Sequence, residues 1–299
     1  MLFFVFLLVL ISCSPRQASQ AGEGLIDALG RHYAPGHSPA RIVSLNPAVT
    51  EILFAIGAGD RVVGVTQYCD YPTAALTRTS VGGFSGATMS MEQIRALGPD
   101  LVILSADMHA RIVSLLDELG IPSFAVEPLT FSQVYDVIIQ IGEITGLGEG
   151  AEIVTADMKR RIAGVEEQIK GRQRPGVFWV LSEDPLMSVG RDTFVSEAIS
   201  LGGGQNIFDD VREQWPLISP EQVLIRRPDW ILREDQGGGS SASGFAASFW
   251  QGIPAVREGR TAFINPDTLY RYGPRLAEGV EQIARILHGI VTSGTGDTP

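Results

Sequence analysis

The sequence predicts an α/β fold: two Rossmann-like lobes joined by a single long α-helix, with a cleft between the lobes. Three observations predict it. The first is a phrase that occurs twice. Ser90-Met91-Glu92-Gln93-Ile94, then four residues, then Pro99-Asp100-Leu101-Val102-Ile103, returns as Ser219-Pro220-Glu221-Gln222-Val223, four residues, and Pro228-Asp229-Trp230-Ile231-Leu232. The offset, 219 against 90, is 129 residues throughout. Each copy reads as a Ser-capped helix, a Pro-containing turn and a buried strand, so two regions share one construction. The second observation is that strand patterns alternate with helical ones on both sides of the chain's middle, which implies parallel sheets covered on both faces. The third is an unbroken helical stripe between them: Val154, Met158, Ile162, Val165 and Ile169 step by 4, 4, 3 and 4 residues, close to the 3.6-residue period.

In chain order, Arg41-Ile-Val-Ser-Leu45 is a short β-rich run. Pro47-Ala48 opens a helix to Ile56, with Ile52, Leu53 and Ile56 on one face, and Gly57-Ala58-Gly59 ends it. Arg61-Val-Val-Gly-Val65 is a second strand. The helix near Glu92, a strand over Asp100–Leu104, a helix over Ala110–Leu119 and a strand over Ser123–Val126 follow, and the first lobe is placed at 38–147. The linking helix takes 148–171, and Arg172-Gln-Arg-Pro-Gly176 breaks it. The second lobe, 172–292, holds a strand over Val177–Leu181, a helix over Thr193–Leu201, the repeated helix near Glu221, strands at Trp230–Leu232 and Thr261–Ile264, and a last helix over Pro274–Ile290. Residues 293–299 form a tail. Gly237-Gly-Gly-Ser-Ser-Ala-Ser-Gly244 is a loop within the second lobe. It lacks the Lys of a phosphate-binding P-loop.

At 299 residues with 44% apolar and 19% charged side chains, the chain is long enough for two domains, each with its own core. A net charge of −11 argues against nucleic acid, whose phosphates call for a basic surface. Leu2 to Ile11 is an apolar run of ten residues. About 20 are needed to span a bilayer, so this has the length of a signal-peptide core. Leu10-Ile11-Ser12-Cys13 follows the pattern of a bacterial lipoprotein signal. It predicts a signal peptide over 1–12, lipidation of Cys13, and a tether over 13–37. Cys69 is then left alone, without a disulfide or a cluster of metal ligands. His32, His37, His109 and His288 lack metal-ligand spacing, so no metal site is expected.

Arg41-Ile-Val-Ser-Leu-Asn-Pro-Ala-Val-Thr-Glu-Ile-Leu-Phe-Ala-Ile-Gly-Ala-Gly-Asp-Arg-Val-Val-Gly-Val65 and Tyr68-Cys-Asp-Tyr-Pro72 resemble the start of the helical-backbone (class III) substrate-binding proteins of ABC importers. That family takes up vitamin B12, ferric siderophores and haem. The resemblance runs from about residue 40 to residue 288. Two stretches look closest to the vitamin B12 branch: Trp215-Pro-Leu-Ile-Ser-Pro-Glu-Gln-Val-Leu224, and Val177-Phe-Trp-Val-Leu-Ser-Glu-Asp-Pro-Leu-Met-Ser-Val-Gly190. The resemblance implies two lobes on one long helix with a ligand cleft between them. It implies no catalysis and no resident cofactor, a corrinoid or iron-chelate ligand, and a homodimeric ABC permease with its ATPase as partner. The expected location is the periplasm or the outer cell surface, on a lipid anchor. One exposed glutamate per lobe would meet the permease, and these map onto Glu92 and Glu221. A lone glutamate two residues after a Ser cap is explained by the helix dipole, worth about 0.3–1 kcal/mol. Two at one register point to docking.

The ligand loops lie at the carboxyl ends of the strands. They offer Tyr68, Phe84 in Gly82-Gly-Phe-Ser-Gly86, Met187 and Arg191 after the second lobe's first strand, Trp215 before the repeated helix, and Tyr270 with Arg271. Aromatic faces suit a broad, flat macrocycle, and arginines suit its amide or carboxylate rim. Tyr68 and Tyr270 are also oxygen donors that ferric haem accepts. Trp179 and Trp230 sit inside strand runs and belong to the core. The competing class is a chelatase-like enzyme, which shares a two-lobed α/β plan. No Gly-x-Gly-x-x-Gly follows the first strand, where Asn46-Pro47 stands, and no Gly-x-Ser-x-Gly or His-containing triad pattern occurs.

Overall fold

The computed structural model describes residues 24–33, 38–85, 87–235 and 248–291. The signal peptide, Cys13, His37, the Gly-rich 237–244 segment and the tail fall outside the described residues.

The first lobe is built on five parallel strands, β3 (Ile42–Ser44), β4 (Val62–Val65), β5 (Thr79–Ser80), β6 (Leu101–Ser105) and β7 (Ser123–Val126), in the order β5-β4-β3-β6-β7. The central strands β3 and β6 are buried along their whole length. That is the state of a parallel sheet with helices on both faces, and the reason these runs read as apolar rather than alternating. Helices α1 (Pro47–Ala55) and α4 (Phe131–Thr145) share one core cluster, while β6 and α3 (Ala110–Glu118) contribute to a second that also takes Ile94 of α2 (Met91–Ala96).

The second lobe repeats the plan with four parallel strands, β8 (Gly176–Val180), β11 (Gln205–Asn206), β12 (Trp230–Glu234) and β13 (Thr261–Ile264), in the order β11-β8-β12-β13. Between β8 and β11 come a small antiparallel hairpin, β9 (Ser182–Glu183) with β10 (Leu186–Met187), and α6 (Phe194–Leu201). Helix α7 (Pro220–Arg226) leads into β12. The short helices α8 (Ser248–Gln251), α9 (Pro254–Arg257) and α10 (Asp267–Tyr270) and the long α11 (Leu276–His288) complete the lobe.

The two copies of the repeated phrase hold the same place in the two sheets. Ser90 and Ser219 cap α2 and α7 by accepting the Gln93 and Gln222 amides at 3.2 and 3.4 Å. Gln222 returns a bond to the Ser219 amide at 2.9 Å, closing a capping box. The repeated aspartates fasten the strand next door. Asp100 accepts the amides of Ala40 and Arg41, at 2.8 and 2.9 Å, just before β3. Asp229 accepts that of Gly176, at 2.7 Å, where β8 begins. Ser, Gln and Asp therefore recur for internal reasons. Glu92 and Glu221 are exposed, and among the described residues neither forms an ion pair.

Helix α5 (Gly148–Ile169) links the lobes. Its 22 residues span about 33 Å at 1.5 Å per residue. Ala151, Thr155, Met158, Ile162 and Val165 are buried along one side, and the helix lies between α4 of the first lobe and α11 of the second. Gly142 and Gly150 permit the approach. A Cβ on Gly142 would stand 2.4 Å from Ala151 Cβ, and one on Gly150 2.4 Å from the Ile56 carbonyl oxygen. Arg161 of α5 donates twice to the buried Glu281 of α11, at 2.9 and 2.6 Å.

Residues 24–33 differ from the tether expected over 13–37. Strands β1 (Leu25–Ile26) and β2 (His32–Tyr33) form a hairpin that docks beside β7. Its turn is held by Asp27, 5% exposed, which accepts the Leu29 and Arg31 amides at 3.0 and 2.9 Å and the Ala125 amide at 3.2 Å. Arg31 donates to Ser123, and Tyr33 stacks edge-on to Phe124. A small polar composition suggests a free linker. Here one buried aspartate organises it and covers an otherwise open sheet edge.

Candidate functional site

The carboxyl ends of both sheets face a common cleft. Its main cavity, about 760 Å³, takes Tyr68, Phe84, Met108, Trp215, Tyr270 and Tyr272 into its walls. A second, about 460 Å³, adjoins it through Glu127, Trp215, Tyr270 and Tyr272.

The floor is polar and joins the lobes. Asn46 caps α1 by accepting the Ala48 amide at 2.7 Å. Its amide nitrogen is thereby free to donate to Ser105 Oγ at 2.7 Å and Tyr272 Oη at 2.9 Å, and those two hydroxyls lie 3.0 Å apart. Beneath them Glu51 of α1, its side chain 1% exposed, receives Arg275 in a two-pronged bond at 2.6 and 2.8 Å, and Arg271 at 3.1 Å. Arg271 also reaches Asp70 at 2.6 Å and Asp267 at 3.0 Å. Although burial works to raise it, the Asp70 carboxyl is held below its usual range by the Arg271 guanidinium.

In the first lobe, a Cβ on Gly82 (φ +111°) would fall 2.3 Å from the Thr88 carbonyl oxygen, so only glycine lets the 82–85 turn close on itself. The turn presents Phe84, whose ring meets Tyr68 edge-on at 6.3 Å and His109 at 5.8 Å. His109 fixes it from behind. Its Nε2–H donates to the Phe84 carbonyl at 2.8 Å, while its Nδ1 accepts the Ser105 amide at 3.1 Å. That pairing requires the neutral ring, and burial pushes its pKa down.

In the second lobe, Trp215 is 46% exposed at the junction of the two cavities. Gly190 makes room for its segment: a Cβ there would lie 2.0 Å from the Glu213 carbonyl oxygen, and the Gly190 amide donates to the Gln214 carbonyl at 3.0 Å. Tyr270 accepts from Trp179 Nε1 at 3.1 Å and donates to Glu234 at 2.5 Å. Burial and the Glu234 carboxylate both raise its phenol pKa. Its hydroxyl is committed to the protein, and its ring is what the cleft meets.

The structure brings Tyr68, Phe84, Trp215 and Tyr270 together around one cavity. Arg271 reaches the same wall, but its guanidinium is taken up by three carboxylates and is not a spare donor for a ligand rim. Arg191 lines a third cavity of about 620 Å³, which adjoins the second through Leu129, Asp192 and Thr193 and does not include Tyr68 or Phe84. Met187 lies in the β9–β10 hairpin, bridged to Leu217 and off the cavity walls. Position after a strand points to both, but the hairpin inserted after β8 takes Met187 off the walls of the two cleft cavities. Trp179 is fully buried and Trp230 packs half-buried against the core. Asn46, Glu51, Ser105, Asp107, Glu127, Tyr272 and Arg275 escaped the sequence reading. Only Asn46-Pro47, directly after the first strand, carries a local signal. Among the described residues no cluster of metal ligands occurs and no helix is long and apolar enough to cross a membrane.

Two α/β lobes on one helical rod, with a cleft at the carboxyl ends of their strands, define a substrate-binding protein of the helical-backbone class. The chain belongs to the periplasmic binding protein family, whose profile matches residues 42–268. It is 32% identical over 249 residues to the vitamin B12-binding protein of Vibrio cholerae, covering 83% of this chain and 88% of that protein. It is 32% identical over 270 residues to YvrC, an ABC transporter substrate-binding lipoprotein of Bacillus subtilis, covering 88% and 84%. The crystal structure of the periplasmic vitamin B12-binding protein BtuF of Vibrio cholerae superposes with a TM-score of 0.72 at 31% identity, covering 84% of this chain and 98% of that one.

Proposed function

We propose that this protein captures cobalamin or a related corrinoid outside the cytoplasmic membrane, anchored by a lipid on Cys13, and delivers it to a homodimeric ABC permease. The observation that carries the reading is the cleft: aromatic walls from both lobes, Tyr68 and Phe84 facing Trp215 and Tyr270, over a floor of neutral hydrogen-bonding groups. Ring faces bind a flat macrocycle, and amide and hydroxyl groups suit a rim of carboxamides. The similarity to vitamin B12-binding relatives supports the same ligand. Glu92 and Glu221, exposed at matching registers near two helix starts, are the docking groups proposed for the permease. The loss of Trp fluorescence on adding cyanocobalamin, haem or a ferric siderophore to separate samples tests the ligand. Saturable cobalamin binding is expected. Saturation by haem or siderophore alone would overturn the corrinoid reading. Replacing Cys13 by Ser is expected to move the protein from the membrane to the soluble fraction, and an unchanged membrane fraction refutes the anchor.

A further inference from the structure

Among the described residues of the main cavity, the charge left without an ion-pair partner is negative. Asp107 and Glu127 stand in it, and among the described residues neither meets a cation at ion-pair distance. Glu127 accepts the Asp107 backbone amide at 3.2 Å, which brings its carboxylate up to the residue that carries the second one. The arginines at the same wall offer no counterweight. Arg271 and Arg275 are enclosed by Glu51, Asp70 and Asp267, three carboxylates around two guanidiniums. The faces of Tyr68, Phe84 and Trp215 add the negative side of the ring quadrupole. Glu127 is exposed to the cleft, and its carboxyl is held above its usual range, first by partial loss of hydration and further by Asp107, although hydrogen bonds to the Asp107 and Ala106 amides oppose the rise.

We propose that the cleft selects its guest by charge, with Asp107 and Glu127 as the specificity-determining groups: it favours a flat metal macrocycle bearing net positive charge over neutral or anionic ones. This rests on the corrinoid reading and narrows it. A macrocycle with carboxylate side arms meets two unpaired carboxylates and no free guanidinium. One with a cationic metal centre and a carboxamide rim meets complementary charge and two acceptors for its N–H groups.

The test compares two forms of one ring. At pH 6.5 aquacobalamin carries one positive charge more than cyanocobalamin and differs from it only in the upper ligand of cobalt, water in place of cyanide. Each is titrated calorimetrically into the full chain at 20 mM and 500 mM salt, with haem as the anionic probe. Aquacobalamin is expected to bind about fivefold tighter or better at low salt, and screening should shrink that ratio at high salt. Glu127→Gln and Asp107→Asn, each shown by thermal melting to fold, should bring the ratio towards one. Equal affinities in the parent protein overturn the proposal. So does an advantage that survives high salt and both substitutions, because it then comes from exchange of the water ligand at cobalt. Corrinoid binding without charge preference sinks this inference alone, whereas failure of every corrinoid to bind sinks the function beneath it.

Discussion

Replacing Glu51 by Gln removes the charge that both interlobe arginines share. The side chain is 1% exposed, Arg275 meets it at 2.6 and 2.8 Å and Arg271 at 3.1 Å. Unit charges about 4 Å apart interact by about 4 kcal/mol at an effective dielectric near 20. Desolvation offsets much of that, but the offset is not recovered when only one partner goes, and breaking a buried pair costs about 3–5 kcal/mol. Arg271 keeps Asp70 and Asp267, and Gln still accepts one bond, so the loss falls near the low end, about 3 kcal/mol. For a chain of this size that lowers Tm by about 5 °C. Arg275 also lies over the Tyr71 ring at 4.1 Å, so its own substitution costs more than the pair alone. A double-mutant cycle of Glu51→Gln with Arg275→Gln, read by chemical denaturation, isolates the pair and should give a coupling of about 2 kcal/mol. A Tm within 2 °C of the parent, or a coupling near zero, would falsify the view that this carboxylate pins the lobes.

Three further outcomes are expected. Trp215→Ala should weaken cobalamin binding by about tenfold, since it removes a large half-exposed ring at the cavity junction; an unchanged Kd places that ring on an idle rim. Because the folded state holds the His109 pKa down, the unfolded chain binds its proton first, and stability falls as pH drops below about 6.5, the free imidazole value. The fall in Tm between pH 7.5 and 5 should be smaller in His109→Asn than in the parent, and equal falls would assign it to other groups. Reversing the charge of Glu92 and Glu221 together should spare ligand binding and cut uptake through the permease at least tenfold. Transport at the parent rate would dismiss the docking role.

Much of the fold is legible because local and global signals agree. Ser123–Val126 and Thr261–Ile264 are apolar runs between breakers, and the strands occupy those residues. The linking helix announces itself by period and ends within two residues of the expected limits. Helix α4 carries an equally plain pattern, with Thr130 as cap, Val134, Val137, Ile138, Ile141 and Ile144 on one side, and Gly146 closing it in the left-handed conformation. The two-residue strands β5 and β11 leave no periodicity to detect. At the site, aromatics in Gly-rich or Pro-rich loops were found because such residues have no local reason to be there. The floor was not, because Asn46, Ser105 and Tyr272 come from three segments up to 226 residues apart. Glu51 looks like one more surface charge on an amphipathic helix. Only the fold reveals that the arginines which satisfy it arrive 220 and 224 residues later.

These long-range bonds bear on how a guest leaves. If the lobes swung apart about α5, the floor hydrogen bonds, the Glu51 ion pairs and the bond from the Phe131 amide to Glu197 would all have to break. Each neutral bond contributes about 1 kcal/mol and the buried ion pairs several times that. The core that packs α5 between α4 and α11 would shear with them, since it runs continuously from the first lobe into the second. Such an opening costs too much to recur in every transport cycle. The rim is cheaper to move. The 82–85 turn is held to the body by the His109 bond to Phe84 and by the Gln67 amide, which donates to the Gly82 carbonyl at 2.8 Å, and the Trp215 segment by backbone bonds to Ser188 and Gly190. In the sequence each runs directly into one of these helices: the 82–85 turn precedes the Ser90 cap of α2, and Trp215 precedes the Ser219 cap of α7, which carry Glu92 and Glu221. On the proposed docking, a partner engaging those glutamates meets the helices that these loops lead into, and displacing the loops would open the rim while the floor stays closed.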